Sequence, residues 1–262
     1  MTSSHPVISV KTMTDYHLES FIRCPYKFYY QHVLSLNPSQ VKWRQVVQFI
    51  INQVVQNFYQ LPLDAQNKLN ALKLIDRYWK NVSPHLFESK VYYYMVLAKT
   101  TDHLLQCLVM KKKQKPPLFL YQKLNTYIEE LETQLSLTFE LAEWSTHSFT
   151  MKKFLVEADE EMIQLYYHLM VVFSNEAFGK LPDRIEIITL LEGEKYTFSP
   201  TMNNVTQGIM YLEYMKDLLQ HPNDYSKTNS LTECRSCPFT HKCKDSQNSF
   251  KETNSPNENI FH

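Results

Sequence analysis

Hydrophobic positions in the first part of the chain recur at helical spacing. Leu18, Phe21 and Ile22 follow the capping run Thr12-Met13-Thr14-Asp15, which predicts a helix ending near Cys24-Pro25. Val46, Val47, Ile50, Ile51, Val54, Val55 and Phe58 make one apolar face over 41–61, and further helices are predicted over 65–79 and 92–109. Lys111, Lys112, Lys113 and Lys115, followed by Pro116-Pro117, interrupt this period and read as an exposed basic loop. After about residue 118 the period changes. The segment 135–141 alternates as a strand does, 147–156 is a second candidate, and 184–191 is the clearest strand. Glu192-Gly193-Glu194 turns it into a hairpin with 195–198. An amphipathic helix with an acidic first turn is predicted over 157–178, and a last helix over 205–219.

Composition narrows the function classes. Of the 262 residues 44% are hydrophobic and 13% aromatic, enough for a packed core. The polar stretch 245–262 reads as a disordered tail. With only 3 glycines there is no place for a dinucleotide fingerprint, a phosphate loop or a Gly-x-Ser-x-Gly elbow. Lys plus Arg equals Asp plus Glu at 27 each, so any nucleic-acid contact must come from a local patch. No run approaches the roughly 20 apolar residues that span a bilayer, and the N-terminus lacks the order of a signal peptide. The expectation is a cytoplasmic protein without a membrane partner.

The cysteines carry the most specific chemistry. Cys234, Cys237 and Cys243 form Cys-x2-Cys-x5-Cys, a spacing that lets several thiolates face one metal centre. Three thiolates leave a four-coordinate site one ligand short. Cys107 lies in an apolar helical stretch and reads as an inert buried thiol, whereas Cys24 stands at a helix end before Pro25 and is the better fourth ligand. An iron–sulfur cluster, a zinc ion and free structural thiols are the three readings, and the cluster is the leading one.

The segment DYHLESFIRCPYKFYYQHVLSL, the closing CRSCPFTHKC and the hairpin LPDRIEIITLLEGEKYTF together resemble the iron–sulfur PD-(D/E)xK nucleases. These are the RecB-like and AddB-like exonucleases and the nucleases of CRISPR spacer acquisition. The resemblance implies a 4Fe–4S cluster on Cys24, Cys234, Cys237 and Cys243. It also implies a restriction-endonuclease-like α/β core, a small mixed sheet flanked by helices, with the cluster stapling the two ends of the chain. On that reading 1–244 is a single domain: a helical insertion over about 40–117, a strand–helix–hairpin core over about 118–220, and the cysteine segment 234–243.

Family chemistry implies a Mg or Mn ion held by carboxylates, with a lysine near the attacking water. Here the helical Gly-x-x-x-His falls on Gln48 and Asn52, and the Asp-x-Lys pair aligns with Thr150-Met151-Lys152, which keeps the lysine and loses the carboxylate. Gln164 matches the first residue of the family's Gln-x-x-x-Tyr helix, whose last position becomes His168. Lys152 and Gln164 are therefore the catalytic candidates, with Glu140, Glu143, Glu157 and Asp159 as substitute carboxylates. Lys111, Lys112, Lys113 and Lys115 are the candidate DNA contacts, or simply a solvated loop. Tyr26, Phe28, Tyr29 and Tyr30 suit either base stacking or core packing.

Three functions follow from the resemblance. The first is DNA binding, at ends or single strands in repair, recombination or defence, by a nuclease-like domain with a degenerate active site. The second is an active Mg- or Mn-dependent DNA nuclease. The third is a structural partner of a helicase or other repair subunit.

Overall fold

The computed structural model describes residues 9–36, 41–109, 115–230, 233–234 and 237–245. The 245–262 tail therefore lies almost wholly outside the described residues, as do Lys111, Lys112 and Lys113.

A short strand, β1 (Thr12–Thr14), runs into helix α1 (Asp15–Arg23). The Thr14 side chain accepts the His17 N–H at 3.0 Å, an N-cap that starts the helix. Cys24 leaves helical geometry, and Pro25 opens the next helix, α2 (Pro25–Phe28), which continues as a π-helical turn, Tyr29–Val33. Helices α3 (Trp43–Gln60), α4 (Lys68–Trp79) and α5 (Lys90–Val109) follow. Their buried side chains include the apolar face of α3 read from the sequence except Val46, which is only partly buried.

The sheet comes next: β2 (Phe119–Ile128), β3 (Thr133–Trp144) and β4 (Phe149–Leu155). Helix α6 (Glu160–Phe178) starts at the Asp159 cap and ends at Gly179, whose φ of 59° suits a residue without a Cβ. Strands β5 (Arg184–Thr189) and β6 (Lys195–Phe198) form the hairpin, α7 (Met202–Gln220) follows, and α8 (Thr240–Asp245) closes the described chain.

Strands β2, β3 and β4 form an antiparallel meander. Through α6 the chain returns to β5, parallel to β4, and β6 adds antiparallel at the edge. Strand β1 pairs in parallel with the first part of β3. The sheet separates two cores. Helices α1, α6 and α7 pack with Leu135, Phe139, Met151 and Ile187 on one face; α3, α4 and α5 pack with Leu141, Phe154 and Ile188 on the other. This is a mixed α/β architecture with a helix-flanked mixed sheet, consistent with a restriction-endonuclease-like fold.

The ten-residue β2 was not anticipated. Its burial runs mostly intermediate and exposed, because it covers only one edge of β3, and such a strand carries little apolar alternation. Among the described residues no helix is long and apolar enough to cross a membrane.

Candidate nucleic-acid cleft and cysteine cavity

The register that brings β3 beside β4 buries an ion pair. Lys153 Nζ stands 2.6 Å from Glu140 Oε1, with the two side chains 8% and 2% exposed. The other carboxylate oxygen accepts the Phe154 N–H at 2.7 Å. The Lys153 ammonium also sits 4.4 Å from the centroid of the Tyr166 ring on α6. Tyr166 donates its hydroxyl to Glu19 Oε2 at 2.5 Å, and Glu19 Oε1 accepts from Arg23 Nε at 3.1 Å. A continuous polar chain thus runs from the middle of the sheet to the surface of α1.

Burial pushes the Glu140 carboxyl up. Burial works against the charge on Lys153, but Glu140 and Asp15 outweigh it and raise the ammonium's pKa. Beside this pair the β2–β3 ladder is irregular. Leu120 pairs with Leu141 and Gln122 with Phe139, while between them Tyr121 takes a φ of 48°. A left-handed tyrosine costs on the order of 1–2 kcal/mol, a strain that concentrates at functional sites. Its hydroxyl reaches Asn52 at 3.4 Å.

Above the polar chain lies a cleft of about 380 Å³, floored by Gln48, Asn52 and Val156. Gln48 clamps the end of β4, donating to the Phe154 carbonyl at 2.7 Å and accepting the Val156 N–H at 3.0 Å. Arg23, Lys27, Lys42 and Arg44 line the walls together with Glu19, Glu157 and Glu233. Two aromatics also line it, Tyr16 and Phe49, which are 54% and 59% exposed.

Cys24, Cys234, Cys237 and Cys243 line a second cavity of about 270 Å³, which shares Lys27 and Glu233 with the cleft. Burial and the other three thiols together raise the Cys243 thiol. Yet among the described residues no group of three or more His, Cys, Asp or Glu is placed to hold a metal ion. The donor set is nonetheless thiol-rich: four cysteines line one cavity, the chemistry that suits a soft metal centre, whether an iron–sulfur cluster or zinc.

The structure does not bring Lys152 and Gln164 together. Lys152 points to the α3 face of the sheet, 2.5 Å from Glu143, which also accepts from Tyr59 at 2.9 Å. Gln164 lines a groove between α1 and α7 with Phe21 and Tyr211. His168 stacks on Tyr211 at 4.7 Å. Among the substitute carboxylates, Glu140 lies in the buried pair, Glu157 pairs with Arg44 in the cleft, Glu143 binds Lys152, and Asp159 caps α6 at 2.9 Å. Lys115 is exposed at the end of its loop. Phe28 and Tyr30 are core residues, and Tyr26 and Tyr29 pack against that core. Cys107 faces the α3–α5 core, away from the other thiols.

Sequence reasoning passed over Lys153, Tyr166, Asp15, Glu19 and the four cleft cations. One signal was available: Asp15, Glu19, Arg23 and Lys27 recur every fourth residue, a charged stripe along α1 and α2.

Beside the stripe, the His17 and His32 rings lie 4.9 Å apart. Burial lowers His17, and burial, His17 and Lys27 lower His32 to about 4. A histidine whose folded pKa lies below its unfolded 6.5 supports the fold above pH 6.5 and loses that contribution as pH falls toward about 4. Urea midpoints are expected to drop through this window, and His32→Gln to flatten the drop; an unchanged pH profile in that variant would contradict the assignment.

Residues 12–138 match the model of the PD-(D/E)XK nuclease superfamily. The chain therefore carries a domain of that superfamily over 12–138, a range that includes the charged stripe and Cys24 and stops short of Glu140 and Lys153. No curated protein matches the chain.

Proposed function

We propose that this chain binds DNA in the cleft above the Glu140–Lys153 pair, as a nuclease-like domain in which binding has outlived hydrolysis. The observation that carries the reading is the cleft itself: four cations from α1, α2 and the start of α3, flanked by two exposed aromatics. Cations neutralise backbone phosphates, and exposed rings stack unpaired bases, so the combination favours single strands or frayed ends over intact duplex. Arg23, Lys27, Lys42 and Arg44 would track the phosphates while Tyr16 and Phe49 receive bases. DNA work of this kind belongs to repair, recombination or defence.

Hydrolysis is disfavoured by the register of β4. With Lys153 as the family's lysine, the carboxylate position two residues before it is Met151, which is 1% exposed in the core. Tyr166, not His168, then takes the tyrosine position on α6. Glu140 keeps a carboxylate, but Lys153 and the Phe154 N–H already hold its two oxygens. A hard divalent cation needs several charged oxygens free to turn toward it.

Cys24, Cys234, Cys237 and Cys243 would hold a 4Fe–4S cluster, with zinc as the alternative, and either group would supply a covalent staple between the two ends of the domain.

The test is fluorescence anisotropy with labelled single- and double-stranded DNA, beside cleavage assays with Mg or Mn, on anaerobically purified protein. Tighter binding to single strands without cutting is expected. Lys27→Gln with Arg44→Gln should weaken binding regardless of sequence and make the salt slope shallower by about 1 per residue. Phe49→Ala should cost single-strand binding about 1–3 kcal/mol. Mn-dependent cutting abolished by Lys153→Ala would establish the second reading, an active nuclease, which the gathering of Asp15, Glu19 and Glu140 around one lysine favours. No DNA binding, with a helicase or another repair subunit recovered instead, would establish a structural partner.

A further inference from the structure

We infer that Glu233, the residue before Cys234, occupies a phosphate-binding position in the cleft and competes there with nucleic acid. This rests on the DNA-binding reading above and assigns one of its phosphate sites. Glu233 enters the cleft from the cysteine segment, far along the chain from the helices that line it. Its Oε1 lies 3.7 Å from Arg23 Nη1 and its Oε2 3.3 Å from Lys42 Nζ. Each carboxylate oxygen meets one cation, the arrangement in which two non-bridging oxygens of a phosphodiester would be held. Only 13% of the Glu233 and Lys42 side chains is exposed, so both charges are largely withdrawn from water while they face each other.

Placement of this carboxylate is tied to the cysteines. The Cys234 N–H bonds to the Ser230 carbonyl at 3.1 Å and the Glu233 N–H to the Ser230 hydroxyl at 3.3 Å, so Glu233 and Cys234 are both anchored to Ser230. Glu233 also lines both the cleft and the cysteine cavity. A phosphate entering the cleft must displace Glu233 from Arg23 and Lys42, and the position of the cysteine segment then sets DNA affinity.

The experiment compares wild type, Glu233→Gln and Glu233→Asp for binding to a labelled single-stranded oligonucleotide across a salt series, with iron content and thermal midpoint measured on each. Glu233→Gln should bind several-fold tighter, with a salt slope steeper by about 0.7 for each cation released. Glu233→Asp should fall between, because its shorter side chain keeps the charge but reaches the cations less well. Adding Lys42→Gln to Glu233→Gln should remove most of the gain. Unchanged or weaker binding by Glu233→Gln, at wild-type iron content, overturns the inference and leaves the DNA-binding reading standing. Loss of iron or of fold in Glu233→Gln overturns it in favour of a structural anchor. Absence of binding by every protein overturns the DNA-binding reading and this inference with it.

Discussion

Lys153→Met is expected to destabilise the protein by about 3–5 kcal/mol, because it strands the Glu140 carboxylate in the interior. Both side chains are nearly inaccessible, at 8% and 2% exposure, so water cannot take the place of the lost ammonium. The Phe154 N–H remains as one donor, too little for a full charge. Glu140 must then ionise at a penalty or take up a proton. Burial already raises its pKa, and removing Lys153 raises it further. By linkage, a carboxyl with a raised folded pKa is least harmful below its unfolded pKa and increasingly costly as pH climbs through the folded value. The deficit of Lys153→Met should therefore be small in acid and grow toward neutral pH. Glu140→Gln with Lys153→Met should recover most of the loss, since a pair replaced on both sides leaves no uncompensated charge. Urea denaturation of wild type, Lys153→Met, Glu140→Gln and the double variant at several pH values measures this. A deficit that the second substitution does not relieve would mean that Lys153 acts through Tyr166 rather than Glu140.

With the proposed 4Fe–4S cluster as the bound group, Cys24→Ala is expected to reduce iron from about four per chain to a small fraction and to abolish the visible absorbance of the cluster. The apoprotein should melt at a markedly lower temperature, because ligand binding to the folded state is folding free energy, and a staple between distant parts of the chain removes much unfolded-state freedom. Cys24 belongs to the first helices, whereas the other three thiols lie beyond residue 230. Protease should accordingly cut the cysteine segment of Cys24→Ala first. Cys107→Ala is the control, because that thiol lies in the core on the opposite side of the sheet. Iron, sulfide and zinc analysis of the purified proteins reads the outcome. Stoichiometric zinc without sulfide would replace the cluster by a single-ion site, and metal retained in Cys24→Ala would remove Cys24 from the ligand set.

Much of the architecture is visible in local patterning. The α3 face over Val47 to Phe58, the acidic first turn of α6, the β5–β6 hairpin and the Cys24-Pro25 helix break each follow from neighbours a few residues apart, whose spacing is set by helix or strand geometry. The cysteine spacing is of the same kind. Strand β2 was harder, because an edge strand shares its burial with solvent and loses the alternation that marks a half-buried one.

The catalytic-type residues were out of reach of such patterning. Lys152 and Lys153 are adjacent and chemically identical, and nothing local says which one faces Glu140. The choice depends on the register of β4 against β3, and a shift of one residue exchanges the two faces of the sheet. The same holds for Tyr166, Tyr167 and His168, of which only the rotation of α6 against the sheet selects Tyr166. The cleft cations come from α1, α2 and the start of α3, and they meet Glu233 only after the cysteine segment has folded back beside them. Spacing along the chain thus decided the helices and the hairpin, because those depend on periodic backbone geometry. Packing across the sheet decided which lysine is buried and which charges share a cleft, because those depend on register and on contacts between segments that the chain order does not place side by side.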